Sequence, residues 1–247
     1  MNGAAVGAPF VTAVRERGRF GREISVNPVP RAVCSHACRH CPCGPTERLT
    51  VDRAEFFPLP AVLAAVDAWA GVHGAPDGVW FDCGGEPSLY ARLGELTCCL
   101  RHRMPNVRIG VRSNGSLLGD AAVRRELGLC NAVRVSLNAC IDDDYRRIDR
   151  PHRAVSLEQV LIGLRLLRKA YCGMLEVDTL FVRGVNDTEV NLTGLVGLVL
   201  DVRPDRYVIS TGGRAGDRGL LPVAAGYLET AARLLEAAPF PVTFDTP

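Results

Sequence analysis

Three cysteines fall within eight residues, Cys34, Cys38 and Cys41, spaced C-x3-C-x2-C. Thiolates this close can turn their sulfurs to a common centre and hold an iron–sulfur cluster or zinc. A structural zinc site takes a closed set of four ligands, and Cys43, His36 or His40 stands near enough in sequence to supply the fourth. Three ligands on a four-iron cluster leave one iron open, which is what a cluster that binds a small molecule requires. The spacing favours iron–sulfur and leaves zinc as the alternative.

A second constellation lies downstream, where Asp82-Cys83-Gly84-Gly85-Glu86-Pro87 follows the strand-like run Val79–Cys83. Glycines let a backbone approach a ligand closely, and a carboxylate attracts an ammonium. Alone, such a segment is as readily a turn that ends a strand. A cysteine loop after the first strand combined with Gly-Gly-Glu-Pro after the second resembles the radical S-adenosylmethionine (SAM) superfamily.

That resemblance runs from about Glu23 to Thr211 and is carried by GGEPSLYARLGEL, RSNGSLL, VSLNA, RRIDRPHR and VRGVNDTE. It is nearest to small stand-alone members described as wyosine-synthase-like or as Fe–S oxidoreductases. It implies that Cys34, Cys38 and Cys41 hold a [4Fe–4S] cluster. It also implies that Gly84, Gly85, Glu86 and Pro87 hold the amino group of SAM's methionine. Ser113 and Asn114 end the third strand, Ser136 and Asn138 the fourth, and in the family such positions contact the ribose and carboxylate. The loop Val182–Asp187 resembles the one that packs on the adenine. One departure is His40, which stands where the family usually has an aromatic near the adenine.

The implied activity is reductive cleavage of SAM to methionine and a 5′-deoxyadenosyl radical that abstracts hydrogen from a substrate. An external electron donor, flavodoxin- or ferredoxin-like, is implied as partner. The substrate is a small molecule, peptide or nucleotide. A tRNA-modifying enzyme is the alternative within the family, and a non-catalytic iron–sulfur or zinc-binding module the alternative outside it.

The elements that must position these residues alternate in type. Strand patterns at Ile24–Val29, Val79–Cys83, Val107–Ser113, Val133–Asn138, Leu175–Val182 and Tyr207–Ser210 alternate with helix patterns. The helices are one opened by Pro60, then Leu89–Met104, Ala121–Gly128, one capped by Ser156 and Gln159, one capped by Asn186 and Glu189, and Val223–Ala237. Six such units predict an α/β fold, a single, partial and open (β/α)6 TIM-like barrel with a parallel sheet. Residues 1–22 read as a flexible lead, with Arg15, Arg17, Arg19 and Arg22 solvated, and residues 23–247 as the domain.

Strand alternation puts Arg134, Ser136 and Asn138 opposite Val133, Val135 and Leu137, and Glu176 and Asp178 opposite Leu175 and Val177. The apolar set must face the helices, so the polar set lines the interior. There Arg112, Arg134, Glu176 and Asp178 are either contacts for a polar ligand or a structural ion-pair network. Cys98, Cys99, Cys130 and Cys172 read as ordinary small buried residues, whereas Cys43, Cys83 and Cys140 fall on the side where strands end.

A formal net charge of +2 gives little attraction for phosphate, so nucleic acid is a possible partner that charge does not favour. No run approaches the ~18 apolar residues of a membrane span. Met1–Phe20 lacks the apolar core of a signal peptide. Ten cysteines without that signal suit metal binding in a reducing cytoplasm.

Overall fold

In a computed structural model, which describes residues 10–82, 84–213 and 219–245, the chain opens with an antiparallel hairpin of β1 (Val11–Gly18) and β2 (Gly21–Val26). The cysteine loop follows and contains a two-residue parallel pair, β3 (Val33–Cys34) and β4 (Arg48–Leu49). Then come α1 (Leu59–His73), β5 (Gly78–Phe81), a single 3-10 turn (Pro87–Leu89), α2 (Leu93–Arg103) and β6 (Arg108–Ser113). The chain continues through α3 (Ala121–Leu127), β7 (Ala132–Ser136), α4 (Asp142–Ile148), α5 (Leu157–Ala170) and β8 (Met174–Phe181). It ends with α6 (Glu189–Val202), β9 (Arg206–Thr211), α7 (Ala225–Leu234) and β10 (Val242–Asp245).

Eight strands form one sheet in the order β1-β2-β5-β6-β7-β8-β9-β10, parallel except for the β1–β2 pair. Among the described residues β1 and β10 do not pair, so the barrel stays open as expected. The strand residues that alternation assigned to the helices, Val133, Val135, Leu175 and Val177, are buried in one apolar cluster with Val66, Leu100, Leu164 and Leu195 of the helices. Each such side chain contributes roughly 1.5–3 kcal/mol on burial, which fixes which sheet face turns inward. Among the described residues no helix is long and apolar enough to cross a membrane.

The hairpin corrects the expected flexible lead. Residues 1–9 and Cys83 lie outside the described residues, but Val11–Gly18 pairs with β2, and its turn is bound to the barrel interior. Arg15 pairs with Asp82 at 3.1 Å, and Arg19 pairs with Glu176 on β8. The Phe20 ring stacks on Trp80 with centroids 5.4 Å apart and planes 12° apart. Arg108 lies over Phe20 at 5.9 Å and Arg112 over Trp80 at 5.5 Å, so four side chains form one stack across the interior. Two glycines make room for the rings. A Cβ on Gly78 would come within 2.8 Å of the Phe20 ring, and one on Gly110 within 2.6 Å of Trp80.

The inward polar set forms the ion-pair network. Arg134 stands 3.3 Å from Glu176 and 3.8 Å from Asp178, and Arg112 stands 3.5 Å from Asp82. Of the four cysteines expected to be buried, Cys130 is and Cys99 is half-buried, but Cys98 and Cys172 are exposed. Other differences are local. The helix expected over Leu89–Met104 begins at Leu93, because Pro87–Leu89 forms a separate 3-10 turn. Ser156 caps α5 as expected, its hydroxyl accepting from Gln159 N at 3.2 Å. The cap of α6 is Thr188, accepting from Asn191 N at 3.1 Å, and not Asn186, whose side chain is committed elsewhere.

Candidate functional site

The cysteine loop is held along both flanks by backbone hydrogen bonds. On one side Ala32 N donates to Gly84 O at 2.7 Å and Glu86 N to Val33 O at 3.1 Å, which joins the loop to the Gly-Gly-Glu-Pro turn. That approach is so close that a Cβ on Gly85 would stand 2.3 Å from the Val33 carbonyl oxygen, and one on Gly84 1.7 Å from Asn27 Nδ2. Only glycine fits at either position without displacing a neighbour. On the other side Ala37 N donates to Arg150 O and Arg39 N to Ile148 O, both at 3.0 Å, and His152 N to Ser35 O at 2.8 Å. The stretch RRIDRPHR is therefore the loop's second clamp.

Within this frame the Cys34 sulfur accepts from His36 N at 3.4 Å and from Asn114 Nδ2 at 3.5 Å. The Cys38 thiol donates to Asp149 Oδ1 at 3.6 Å. Burial, then the charges of Glu86 and Cys41, pushes the Cys34 thiol up to about 12. Cys38 rises well above the ordinary thiol range through burial, Asp149 and the other two cysteines. Clustered thiols of this kind cannot ionise together unless a cation stands among them, and metal coordination supplies that charge.

Behind Cys38 the ligand atoms of His36, Cys38 and Asp149 lie within 4.8 Å of one another. The other two members are already engaged. His36 Nε2 pairs with the Tyr145 hydroxyl at 2.7 Å, and Asp149 Oδ1 accepts from Asn138 Nδ2 at 2.7 Å. Burial, followed by the His40 charge, lowers His36 to about 3, so its ring is neutral at pH 7. Burial raises Asp149 to about 7. Sequence reasoning missed Asp149 and Tyr145 as neighbours of the cysteines. The only signal was RRIDRPHR, which names no contact.

A cleft of about 260 Å³ runs between the cysteine loop and the strand ends. Cys34, Cys41, Gly84, Gly85 and the β6–β7 residues Ser113, Asn114 and Ser136 all border it. Seven of the residues singled out from sequence are thus brought to one space, and Arg112 and Cys43 join them. Cys38 instead borders a separate opening of about 320 Å³.

Glu86 is buried at the base of the Gly-Gly-Glu-Pro turn. Its carboxylate is 3% exposed and accepts from Ser88 N at 3.1 Å, Ser88 Oγ at 2.6 Å, Ser113 Oγ at 2.7 Å and Asn114 N at 2.8 Å. These four donors brace the turn through the carboxylate, three of them on Oε1 and one on Oε2, while the glycine backbone borders the cleft. Asn138 is similarly committed. It is 2% exposed, donates to Asp149 and accepts from Leu180 N at 2.8 Å. Ser136 donates to Asp178 at 3.1 Å. Pro87 opens the 3-10 turn, and His40 sits half-buried in the turn between Cys38 and Cys41. In the Val182–Asp187 loop, Asn186 Nδ2 donates to Asn138 O and Leu180 O, both at 2.8 Å, which ties that loop to β7 and β8.

Among known proteins, a UPF0026 protein of Synechocystis is 31% identical over 174 residues, covering 70% of this chain and 64% of that protein. A UPF0026 protein of Methanocaldococcus jannaschii is 25% identical over 195 residues, covering 78% and 60%. The chain spans less than two thirds of the length of these relatives. Of solved structures, Streptococcus suis SuiB bound to S-adenosylmethionine superposes with a TM-score of 0.63 at 12% identity, covering 90% of this chain and 50% of that one. Archaeal TYW1 gives a TM-score of 0.56 at 19% identity, covering 87% and 72%. At these identities the likeness is one of fold. The Radical SAM superfamily profile, in contrast, matches residues 29–193, which include all three loop cysteines, the Gly-Gly-Glu-Pro turn and the ends of β6 and β7. The chain belongs to the radical SAM superfamily of enzymes.

Proposed function

We propose that this chain reductively cleaves SAM at a [4Fe–4S] cluster held by Cys34, Cys38 and Cys41, and delivers the resulting radical to a substrate. Membership of the superfamily brings the two cofactors, and the donor set fits them. The three sulfurs come from one clamped loop, and the thiols need a central cation to ionise. The observation that carries the reading is the cleft that Cys34 and Cys41 share with Gly84, Gly85 and Asn114. A small polar ligand seated there would touch both the cluster loop and the glycine backbone.

When bound, the reduced cluster supplies the electron that breaks the sulfonium C–S bond and so yields methionine and the 5′-deoxyadenosyl radical. The protein's own residues position and shield. Gly84 and Gly85 offer backbone to the methionine ammonium, and Glu86 holds that turn against Ser113 and Asn114. Asn114 donates to Cys34 and to Ser35 Oγ at 2.9 Å, which fixes the loop sulfur beside the cleft. Asp149, held by Asn138, orients Cys38 from behind. The Phe20–Trp80 stack fills the barrel interior beneath Arg112 and limits the water that can reach the cleft from below.

The electron donor in this reading is a flavodoxin- or ferredoxin-like protein, and a reducing cytoplasm suits the free cysteines. The substrate is a small molecule, peptide or nucleotide. The test is an anaerobic assay of the reconstituted protein with SAM and dithionite, with 5′-deoxyadenosine read by chromatography and Cys34→Ala as control. Deoxyadenosine from the wild type alone supports the proposal. A protein that holds its cluster yet neither binds nor cleaves SAM would make it a non-catalytic iron–sulfur module.

A further inference from the structure

The cysteine loop has two openings. Cys34 and Cys41 border the cleft assigned above to SAM, whereas Cys38 borders a neighbouring cleft of about 320 Å³, with Thr46 lining both. We propose that this second cleft is the docking site of an acidic protein that carries single electrons. This rests on the SAM-cleaving reading and adds where its reductant binds.

The chemistry of the rim selects the partner. Arg39 and Arg150 line the cleft, both exposed, and the loop's backbone clamp brings them side by side through Arg39 N to Ile148 O and Ala37 N to Arg150 O. Arg183, also exposed, lies on a neighbouring loop outside the cleft lining, its backbone N–H donating to Leu221 O at 3.1 Å next to the lining residue Leu220. None of these three guanidinium groups has a carboxylate partner among the described residues. Elsewhere on the surface Arg92, Arg103, Arg165 and Arg168 are each held by an Asp or Glu, whereas Arg125, Arg146, Arg153 and Arg203 are likewise without one, so it is the nearness of Arg39 and Arg150 to Cys38 that sets this pair apart. Among the described residues, the carboxylates next in sequence to these loops are Glu47, exposed beside Thr46, and Asp187, whose Oδ1 is engaged by Gly184 N at 2.8 Å. Asp149 is buried and turned toward Cys38.

Beside the arginines the lining is Ala37, Cys38, Pro45, Thr46 and Leu220, a mixed surface that is polar in the main. A small, mainly polar and basic surface suits a transient acidic protein, because the charges steer encounter while the small contact keeps the complex short-lived. A cluster ligand at the wall gives that partner its purpose. One electron leaves the carrier, which is oxidised by one unit, and enters the cluster held by Cys38, which is reduced by one unit; no bond forms or breaks. A nucleic-acid partner is disfavoured by the chain's net charge of +2 and has no use for a cleft that ends on a metal-binding thiol.

The test uses reconstituted holoenzyme and a purified acidic flavodoxin. Two variants are compared with wild type: Arg39→Glu with Arg150→Glu, and Arg183→Glu alone, which leaves the cysteine loop untouched. Affinity for oxidised flavodoxin is read by calorimetry, and cluster bleaching by photoreduced flavodoxin in stopped flow; bleaching by dithionite is the control. The double variant is expected to lose about tenfold or more in affinity and in flavodoxin-driven rate, and Arg183→Glu a smaller part of both, with added salt narrowing each gap. Dithionite bleaching stays at the wild-type rate in Arg183→Glu, which is the control for the chemistry of the cluster; in the double variant it falls by less than flavodoxin-driven bleaching does. Unchanged flavodoxin affinity in both variants overturns the proposal. So does an equal loss with dithionite, or binding of a tRNA that the variants lose while flavodoxin binding persists. If the wild type makes no deoxyadenosine with dithionite, the SAM-cleaving reading fails instead, and the docking site is judged on affinity alone.

Discussion

The Ser113 hydroxyl at the end of β6 donates to Glu86 Oε1 at 2.7 Å, so the turn after β5 and the end of the neighbouring strand share one buried carboxylate. Replacing Glu86 with Ala removes the acceptor for four donors at once. Each donor left unpaired in the interior costs about 1–3 kcal/mol, with some relieved by water or relaxation. Glu86→Ala is therefore expected to lower stability by several kcal/mol and to abolish SAM binding through collapse of the turn. Chemical unfolding of the apoprotein and calorimetric titration with SAM check both. Wild-type stability in the variant would show that the brace is dispensable.

The same carboxylate has a pH signature. Burial raises the Glu86 pKa above its ordinary value, although the four hydrogen bonds oppose it. The folded chain thus holds this proton more tightly than the unfolded chain does. The stability it contributes is fully present below the unfolded pKa, about 4.5, and is lost as pH rises through the folded value. Glu86→Gln cannot titrate and lacks that slope. The difference in unfolding free energy between the Glu86→Gln variant and wild type should shift in the variant's favour as pH rises above about 4.5, whatever its absolute offset. A pH-independent difference refutes the assignment.

Asp149 acts on the cluster site through Cys38. Removing a group that orients a metal ligand typically costs ~10–100-fold in metal affinity. Asp149→Ala should therefore reconstitute with less iron per chain and lose its cluster faster to a chelator. Asp149→Asn, whose amide N–H can donate to a metal-bound Cys38 thiolate, should recover part of the loss. Iron content and chelation rate are the measurements, and equal values in all three proteins would reduce Asp149 to a buried bystander.

How much of this was legible in the sequence follows from how local each signal is. The cysteine spacing and the Gly-Gly-Glu-Pro turn are local, and the alternation of Val133, Arg134, Val135 and Ser136 by itself tells inside from outside. The strands β5–β9 and most helices followed from apolar periodicity. Short or charged elements did not. The helix α4 offers only seven residues, three of them acidic, and β1 carries Arg15, Glu16 and Arg17 where a buried strand would carry apolar residues. Partners far apart in sequence were also hidden. Asp149 lies 111 residues from Cys38 and Arg19 pairs with a strand across the barrel, and periodicity carries no information on either. Glu86 shows the converse. Its place in the motif was plain, but its direction was not, since a carboxylate beside two glycines serves equally as a ligand contact or as a brace.

Phe20 tests whether the hairpin is a structural floor or only a terminal appendage. Its ring is half-buried, sandwiched between Arg108 and Trp80, and Gly78 leaves space for it. A fully buried Phe→Ala change costs about 3–5 kcal/mol, and a half-buried ring should cost roughly half of that. Phe20→Ala should lower the unfolding free energy accordingly while the iron content of the reconstituted protein stays unchanged, because the cysteine loop is clamped from residues 84–86 and 148–152 and not from the hairpin. With the floor opened, more deoxyadenosine should form without substrate turnover, since a looser interior lets the radical take hydrogen from C–H groups of the protein or buffer instead of the substrate. A variant as stable as wild type would return residues 10–22 to the role of a lead. Loss of iron would instead show that the stack beneath Arg112 also supports the cluster loop.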